Sequence, residues 1–274
     1  MKGPPDRANG SSLTVRAWGA GPSVLFLHGL GGSSRYWGRL AGLGGTYRGV
    51  APDLAGFGRS PKPHGASYDV AYHLDQLEPL VAEPAILVGH SAGAILAAAL
   101  AARRPGPVRA LLLLGLPAFP DAGAATTELS ALGRLARSTI RGGAEARIAC
   151  TLHRVAHPVA RVLVTRFHPE LPAAVVADGL EHTWASYSRT LRSVVIEHRV
   201  APDLITAAVP TVLLGGRQDP EAPAVYLEAL DAKLRSASVP VRLELGAGDH
   251  HLALRHPEVV LRALEGLLGR YQVR

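Results

Sequence analysis

The sequence predicts an α/β fold: an open, mostly parallel, doubly wound sheet interrupted late in the chain by an inserted helical segment. Three observations carry that expectation. Short continuous Val/Ile/Leu runs alternate with longer stretches at helical spacing, the pattern of strands covered by helices on both faces. The segment ILVGHSAGAIL, residues 86–96, puts a Gly-x-Ser-x-Gly turn where a strand should hand over to a helix. The alternation then stops after Gly115 and resumes near residue 210, a gap too long for a structureless loop.

The candidate strands are Leu13–Trp18, Val24–Leu27, Arg48–Ala51, Ala85–Val88, Ala110–Leu114, Thr211–Leu214 and Arg242–Leu245. Between them, Asp69–Val81, Ala92–Arg104, Ala222–Leu234 and Pro257–Leu268 carry helical periodicity. Residues 116–209 contain several amphipathic stretches, punctuated by prolines, and no strong strand signal. The organisation read from this is a core of residues 1–115 and 210–274 with a helical insertion, 116–209, between two core strands.

Composition narrows the function classes. At 274 residues and 47% hydrophobic, the chain can bury a core without disulfides or structural metals. Cys150 is its single cysteine, so zinc spacings are absent and a reducing cytoplasm is the expected setting. The start, MKGPPDRANGSS, lacks an apolar run and does not read as a secretory signal. No stretch has the length and apolarity of a membrane span, and no membrane partner is expected. The net charge of +7 comes from scattered arginines without a nucleic-acid-binding motif. They are densest over 134–166, which reads as a solvated basic face, with attraction of an anionic substrate as the alternative.

The chemistry starts at Ser91. A sharp strand-to-helix turn would lift its hydroxyl above the sheet, and glycine at 89 and 93 avoids collisions with neighbouring backbone. The start of the following helix favours negative charge nearby. Upstream, VLFLHGLGGSSRYW (24–37) supplies a strand and then a glycine-rich turn, so the backbone N–H groups of Leu30 and Ala92 are the candidate donors for an oxyanion. His28 is read as a brace for that turn rather than as a base.

Together HGLGG, DLAGFGRS (53–60), GHSAG, LLGGRQD (213–219) and GDHHLALRHP (248–257) resemble, in order and separation, the motif series of the α/β-hydrolase superfamily. The resemblance spans about residues 12 to 268 and implies a sheet of about eight strands with a variable cap at 116–209. It implies the chain order serine, acid, histidine, with the acid after the seventh strand at Asp219 and Asp121 as the weaker alternative. Asp53 is expected to be structural. The base falls in the loop carrying His250 and His251. His250 is preferred because family sequences place a proline seven residues beyond the base, where Pro257 stands, and His251 is the alternative.

The function expected is a serine hydrolase acting on an ester or related carbonyl through Ser91, His250 and Asp219 and an acyl-enzyme. Carbon–carbon bond hydrolysis and non-hydrolytic chemistry on the same fold (lyase, cyclase or acyltransferase) are the alternatives, with a ligand-binding receptor behind them. Dehalogenase and epoxide hydrolase chemistry is disfavoured because those relatives carry aspartate where Ser91 stands. No cofactor and no metal are expected, since adjacent imidazoles converge poorly on one ion. The substrate is expected to be a small hydrophobic molecule, with an anionic group left open by the arginines. Candidate pocket residues are Trp37, His90, Trp184 and Tyr187; Trp184 and Tyr187, like Phe167, His153 and His157, line either the pocket or the cap's own core.

Overall fold

The computed structural model describes residues 12–81, 84–156, 162, 166 and 172–270. Seven strands form one sheet in the order β1-β3-β2-β4-β5-β6-β7. They are β1 (Val15–Trp18), β2 (Ser23–Leu27), β3 (Arg48–Pro52), β4 (Ala85–His90), β5 (Val108–Leu114), β6 (Thr211–Gly216) and β7 (Val241–Gly246). β1 pairs antiparallel with β3, and every other neighbouring pair is parallel. Each expected strand is present, with ends moved by a residue or two.

Helices cover both faces. The short α1 (Gly38–Gly42) and the C-terminal helices Leu252–Arg255 and Pro257–Arg270 pack over one apolar layer that includes Val24, Phe26, Val88, Leu112 and Leu264. The other layer holds α2 (Val70–Leu77) and α3 (Ala92–Arg103) and contains Leu25, Leu27, Leu87, Leu111 and Leu113. Strand residues alternate between these layers because successive side chains point to opposite faces. Residues 92–101 of α3 are all buried, and their alanines let this helix lie close to the sheet and to the helix Val200–Ala207.

Strand order reverses between β2, flanked by β3 and β4, and the strands that follow in sequence. Such a switch point opens a crevice at the carboxyl ends of the strands, and the turns after β2 and β4 meet there. Between β5 and β6 the chain makes α4 (Ala122–Ala131), α5 (Arg134–Ile140) and α6 (Ala144–Val155), then Ala173–Gly179, Trp184–Thr190 with a π-helical continuation Leu191–Glu197, and Val200–Ala207. No helix among the described residues is long and apolar enough to cross a membrane.

Candidate active site

Ser91 sits between β4 and α3 with φ 54° and ψ −123°, a backbone conformation that a side-chain-bearing residue adopts only when its surroundings enforce it. Its N–H donates to the Leu114 carbonyl at 2.9 Å, and its carbonyl accepts from Ala94 N–H at 2.8 Å. A Cβ on Gly93 would overlap the carbonyl oxygens of Leu27 and His28, and one on Gly89 would overlap the backbone of Gly93 and Ala94. The glycines are therefore required by the closeness of β2, β4 and α3. Ala92 opens α3, so its N–H has no partner inside the helix.

The turn after β2 is closed by Gly32 N–H donating to Gly29 carbonyl at 3.0 Å. His28 lies beneath it, with Nδ1–H donating to the Gly29 carbonyl at 2.8 Å and Nε2 accepting from Leu54 N–H at 2.9 Å. Both ring nitrogens are occupied, and burial lowers the His28 pKa against the opposing pull of Asp53. Asp53 itself accepts from Ser34 N–H at 2.6 Å and Arg59 N–H at 2.8 Å, which ties the turn after β2 to the one after β3.

The two neighbouring histidines diverge. His250 Nδ1 and Asp219 Oδ2 are 2.8 Å apart, and both side chains are nearly sealed from solvent. The other carboxylate oxygen of Asp219 accepts from Glu221 N–H at 2.9 Å and Ala222 N–H at 3.0 Å. Burial by itself would push the His250 pKa down, but the hydrogen bond to Asp219 and the charges of Glu221, Asp219 and Asp249 outweigh it, and the pKa lies above 6.5. His251 and His90 go the other way: burial lowers both, and the charge of His250 lowers them further. Gly115, at φ 50°, closes this corner, since a Cβ there would lie 3.1 Å from His250 Nδ1 and 3.3 Å from Asp219 Oδ2. Asp121, the weaker candidate acid, caps α4 instead by accepting from Ala124 N–H at 2.8 Å.

A cavity of about 100 Å³ contains Ser91. Its wall is formed by Leu30, Pro117, Leu129, Ile140, Tyr187, Leu191, Val195 and a few neighbours, with Glu221 the charged residue among them. Tyr187 is thus where a pocket residue was expected. Trp184 is not: it lines an adjoining surface depression with Arg141, Arg147 and Ser188, which shares Thr139, Ile140 and Leu191 with the Ser91 cavity.

Trp37 departs furthest from expectation. It is fully buried in the apolar layer under the sheet, 5.2 Å from the Phe26 ring, because it ends the 3₁₀ turn Ser34–Trp37 pointing inward. Its neighbour Tyr36 is also buried but lies on another side of that turn, where it stacks on His90 with ring centroids 4.5 Å apart. His90 points away from the Ser91 cavity. With Tyr36, His251, Leu30, Val175 and Leu254 it lines a second cavity of about 250 Å³ behind the Gly29–Gly32 turn. Its Nε2 hydrogen-bonds the His250 carbonyl at 2.7 Å, which braces the loop that carries His250. Phe167, His157 and the His153 side chain lie outside the described residues. Tyr36 and Glu221 were not picked out from sequence; the closeness of Glu221 to Asp219 in RQDPEAP was the available signal for it.

A family model for the alpha/beta hydrolase family matches residues 24–263, and the chain belongs to that family. Within it, an uncharacterized protein of Mycobacterium tuberculosis is 30% identical over 263 residues, covering 89% of this chain and 74% of that one. A probable lysophospholipase of Arabidopsis thaliana, BODYGUARD 4, is 37% identical over 126 residues, covering 43% of this chain. The match spans only 29% of that plant protein. Among solved structures, the enol-lactonase of Burkholderia xenovorans LB400 superposes with a TM-score of 0.70 at 19% identity, covering 97% of this chain and all (100%) of that one, a likeness of fold.

Proposed function

We propose that the protein is a serine hydrolase acting on a small ester or related carbonyl compound through Ser91, His250 and Asp219. The observation that carries this reading is the buried 2.8 Å contact between His250 Nδ1 and Asp219 Oδ2, with His250 Nε2 3.6 Å from Glu221, a residue that shares a cavity wall with a serine held at φ 54°. A histidine whose Nδ1–H is held by a carboxylate presents Nε2 as a base. His250 takes the Ser91 proton as the serine oxygen attacks the carbonyl, and Asp219 stabilises the imidazolium that forms. The oxyanion is held by the N–H groups of Leu30 and Ala92, each donor contributing about 3 kcal/mol in the transition state. His250 then protonates the leaving alcohol, and water releases the acyl group by the same steps in reverse.

The cap is residues 116–209, which contribute Pro117, Leu129, Ile140, Tyr187, Leu191 and Val195 to the cavity wall. Their apolar character favours an apolar acyl group, and no cofactor is needed for this chemistry. The test is labelling by a serine-directed phosphonate together with p-nitrophenyl esters of graded acyl length. Labelling and ester turnover by the protein, both lost in Ser91→Ala, are expected. Equal labelling of Ser91→Ala and the parent protein would sink the reading. Hydrolysis in isotopic water separates it from lyase, cyclase or acyltransferase chemistry, since only hydrolysis puts solvent oxygen into an acid product.

A further inference from the structure

Glu221 is an odd residue to find in an apolar cavity. Its carboxylate Oε2 lies 3.6 Å from His250 Nε2, and its side chain is 44% exposed toward the space that also contains Ser91. His250 is its one ion-pair partner among the described residues. When His250 acts as a neutral base that partner carries no charge, and the carboxylate is left without a counterion inside the site. The position of Glu221 is built in rather than incidental. Its own N–H donates to Asp219 Oδ1, so the turn that seats the acid also aims the glutamate across the cavity.

Resting on the hydrolase reading above, we infer that Glu221 and Tyr187 form a subsite for a positively charged nitrogen, and that the substrate class is an ester bearing an ammonium group within a few bonds of its scissile carbonyl. A half-exposed carboxylate in one cavity wall with an aromatic ring is a pairing that recognises an organic cation: the carboxylate supplies charge and hydrogen bonds, and the ring face supplies further attraction. Tyr187 lines the same cavity and lies within the field of Glu221. Its hydroxyl pKa is pushed up to about 12, chiefly by burial and then by the Glu221 charge. The remaining wall, from Leu30 and Leu129 to Leu191 and Val195, takes the apolar part of the acyl chain. An anionic substituent there would face Glu221 without a described cation in the wall to offset it. The arginine-rich 134–166 stretch, read from sequence as a possible attractor of anions, contributes no arginine to this wall among the described residues.

Three aryl alkylphosphonates test this, identical except that one carbon beside phosphorus carries hydrogen, an ammonium or a carboxylate. The second-order rate of Ser91 labelling is measured for each, in the unaltered protein and in Glu221→Gln. The ammonium probe is expected to label fastest and the carboxylate probe slowest, each step about tenfold at charge separations of a few ångströms. Glu221→Gln should collapse the ammonium-to-carboxylate ratio toward one, and Glu221→Asp should restore part of it. Should Glu221→Gln not fold, added salt read against the same ratio in the unaltered protein gives the answer, because only a charge-based preference shrinks with ionic strength. A ratio near one in the unaltered protein, or a preference unmoved by Glu221→Gln or by salt, overturns the subsite while leaving the hydrolase reading intact. Failure of all three probes to label Ser91 instead overturns the hydrolase reading on which it rests.

Discussion

The segment between β5 and β6 has two halves that hold to the core in different ways. The later half is tied by buried polar contacts. Asp178 accepts from Ser33 Oγ at 2.8 Å and pairs with Arg35 at 3.1 Å, which fastens the helix Ala173–Gly179 to the turn after β2. Ser186 Oγ donates to the Gly56 carbonyl at 2.9 Å, and the Thr190 hydroxyl meets His73 Nε2 at 3.1 Å. The earlier half, α5 and α6, leaves Leu135, Ile148 and Leu152 57%, 57% and 58% exposed. Arg134, Arg137, Arg141 and Arg147 on this half are exposed beside them. The tied half shares a wall with Ser91 through Tyr187, Leu191 and Val195, and the looser half contributes Ala136, Thr139 and Ile140. One side of the pocket is therefore fastened by buried polar contacts, while among the described residues the other side leaves large apolar side chains uncovered.

The largest effects belong at the core edge itself. His250→Ala should lower kcat by about 10⁴-fold or more, while His251→Ala should stay within about tenfold, measured on one ester. The reverse outcome would exchange the roles of the two imidazoles. In the unaltered protein, kcat/KM should fall on the acid side through a pKa above 6.5, because the base must be neutral and the charges of Asp219, Glu221 and Asp249 favour its proton. Glu221→Gln should move that limb to lower pH.

Next in size is acid destabilisation of the tied half. Burial, with a further push from His28, lowers the His73 pKa to about 4, against 6.5 for the free side chain. An unfolded chain then binds a proton that the folded one refuses. The stability held above pH 6.5 is lost as pH falls from there toward about 4, by about 3 kcal/mol for this group. Denaturant midpoints across that window check the sign, and His73→Gln should flatten the slope.

Asp178→Ala should cost about 2 kcal/mol, since it leaves Ser33 and Arg35 without their acceptor. Thermal unfolding reads that loss, and an unchanged midpoint would mean the two halves are tethered alike. The smallest effect is expected in the looser half, where Ile148→Ser or Leu152→Ser should change stability by no more than about 0.5 kcal/mol. A drop several times larger would show those side chains to be covered in solution.

Most of the core was legible because its signals are local. β4 and α3 announce themselves as a continuous apolar run, a glycine-bracketed serine and an alanine-rich helix, and each needs only its own neighbours in sequence to be read. His250 and Asp219 were legible through their place after β7 and β6. Trp37 was misjudged because proximity to the glycine turn in sequence says nothing about which side of a 3₁₀ turn faces the sheet. Trp184 and Tyr187 both read as pocket aromatics, and only tertiary packing puts Tyr187 in the Ser91 cavity wall and Trp184 in the depression adjoining it.

The amino-acid sequence was enough to specify the alternation of strands and helices, the strained turn at Ser91 and the position of the helical insertion, because hydrophobic period and glycine placement act over a few residues. The spacing to Pro257 favoured His250 in sequence, but long-range packing decides which histidine meets Asp219, since His250 and His251 share a loop and differ in direction. The same is true of Glu221. Its carboxylate reaches the Ser91 cavity because the β6 and β7 turns converge on the sheet's carboxyl edge, a convergence no local pattern encodes.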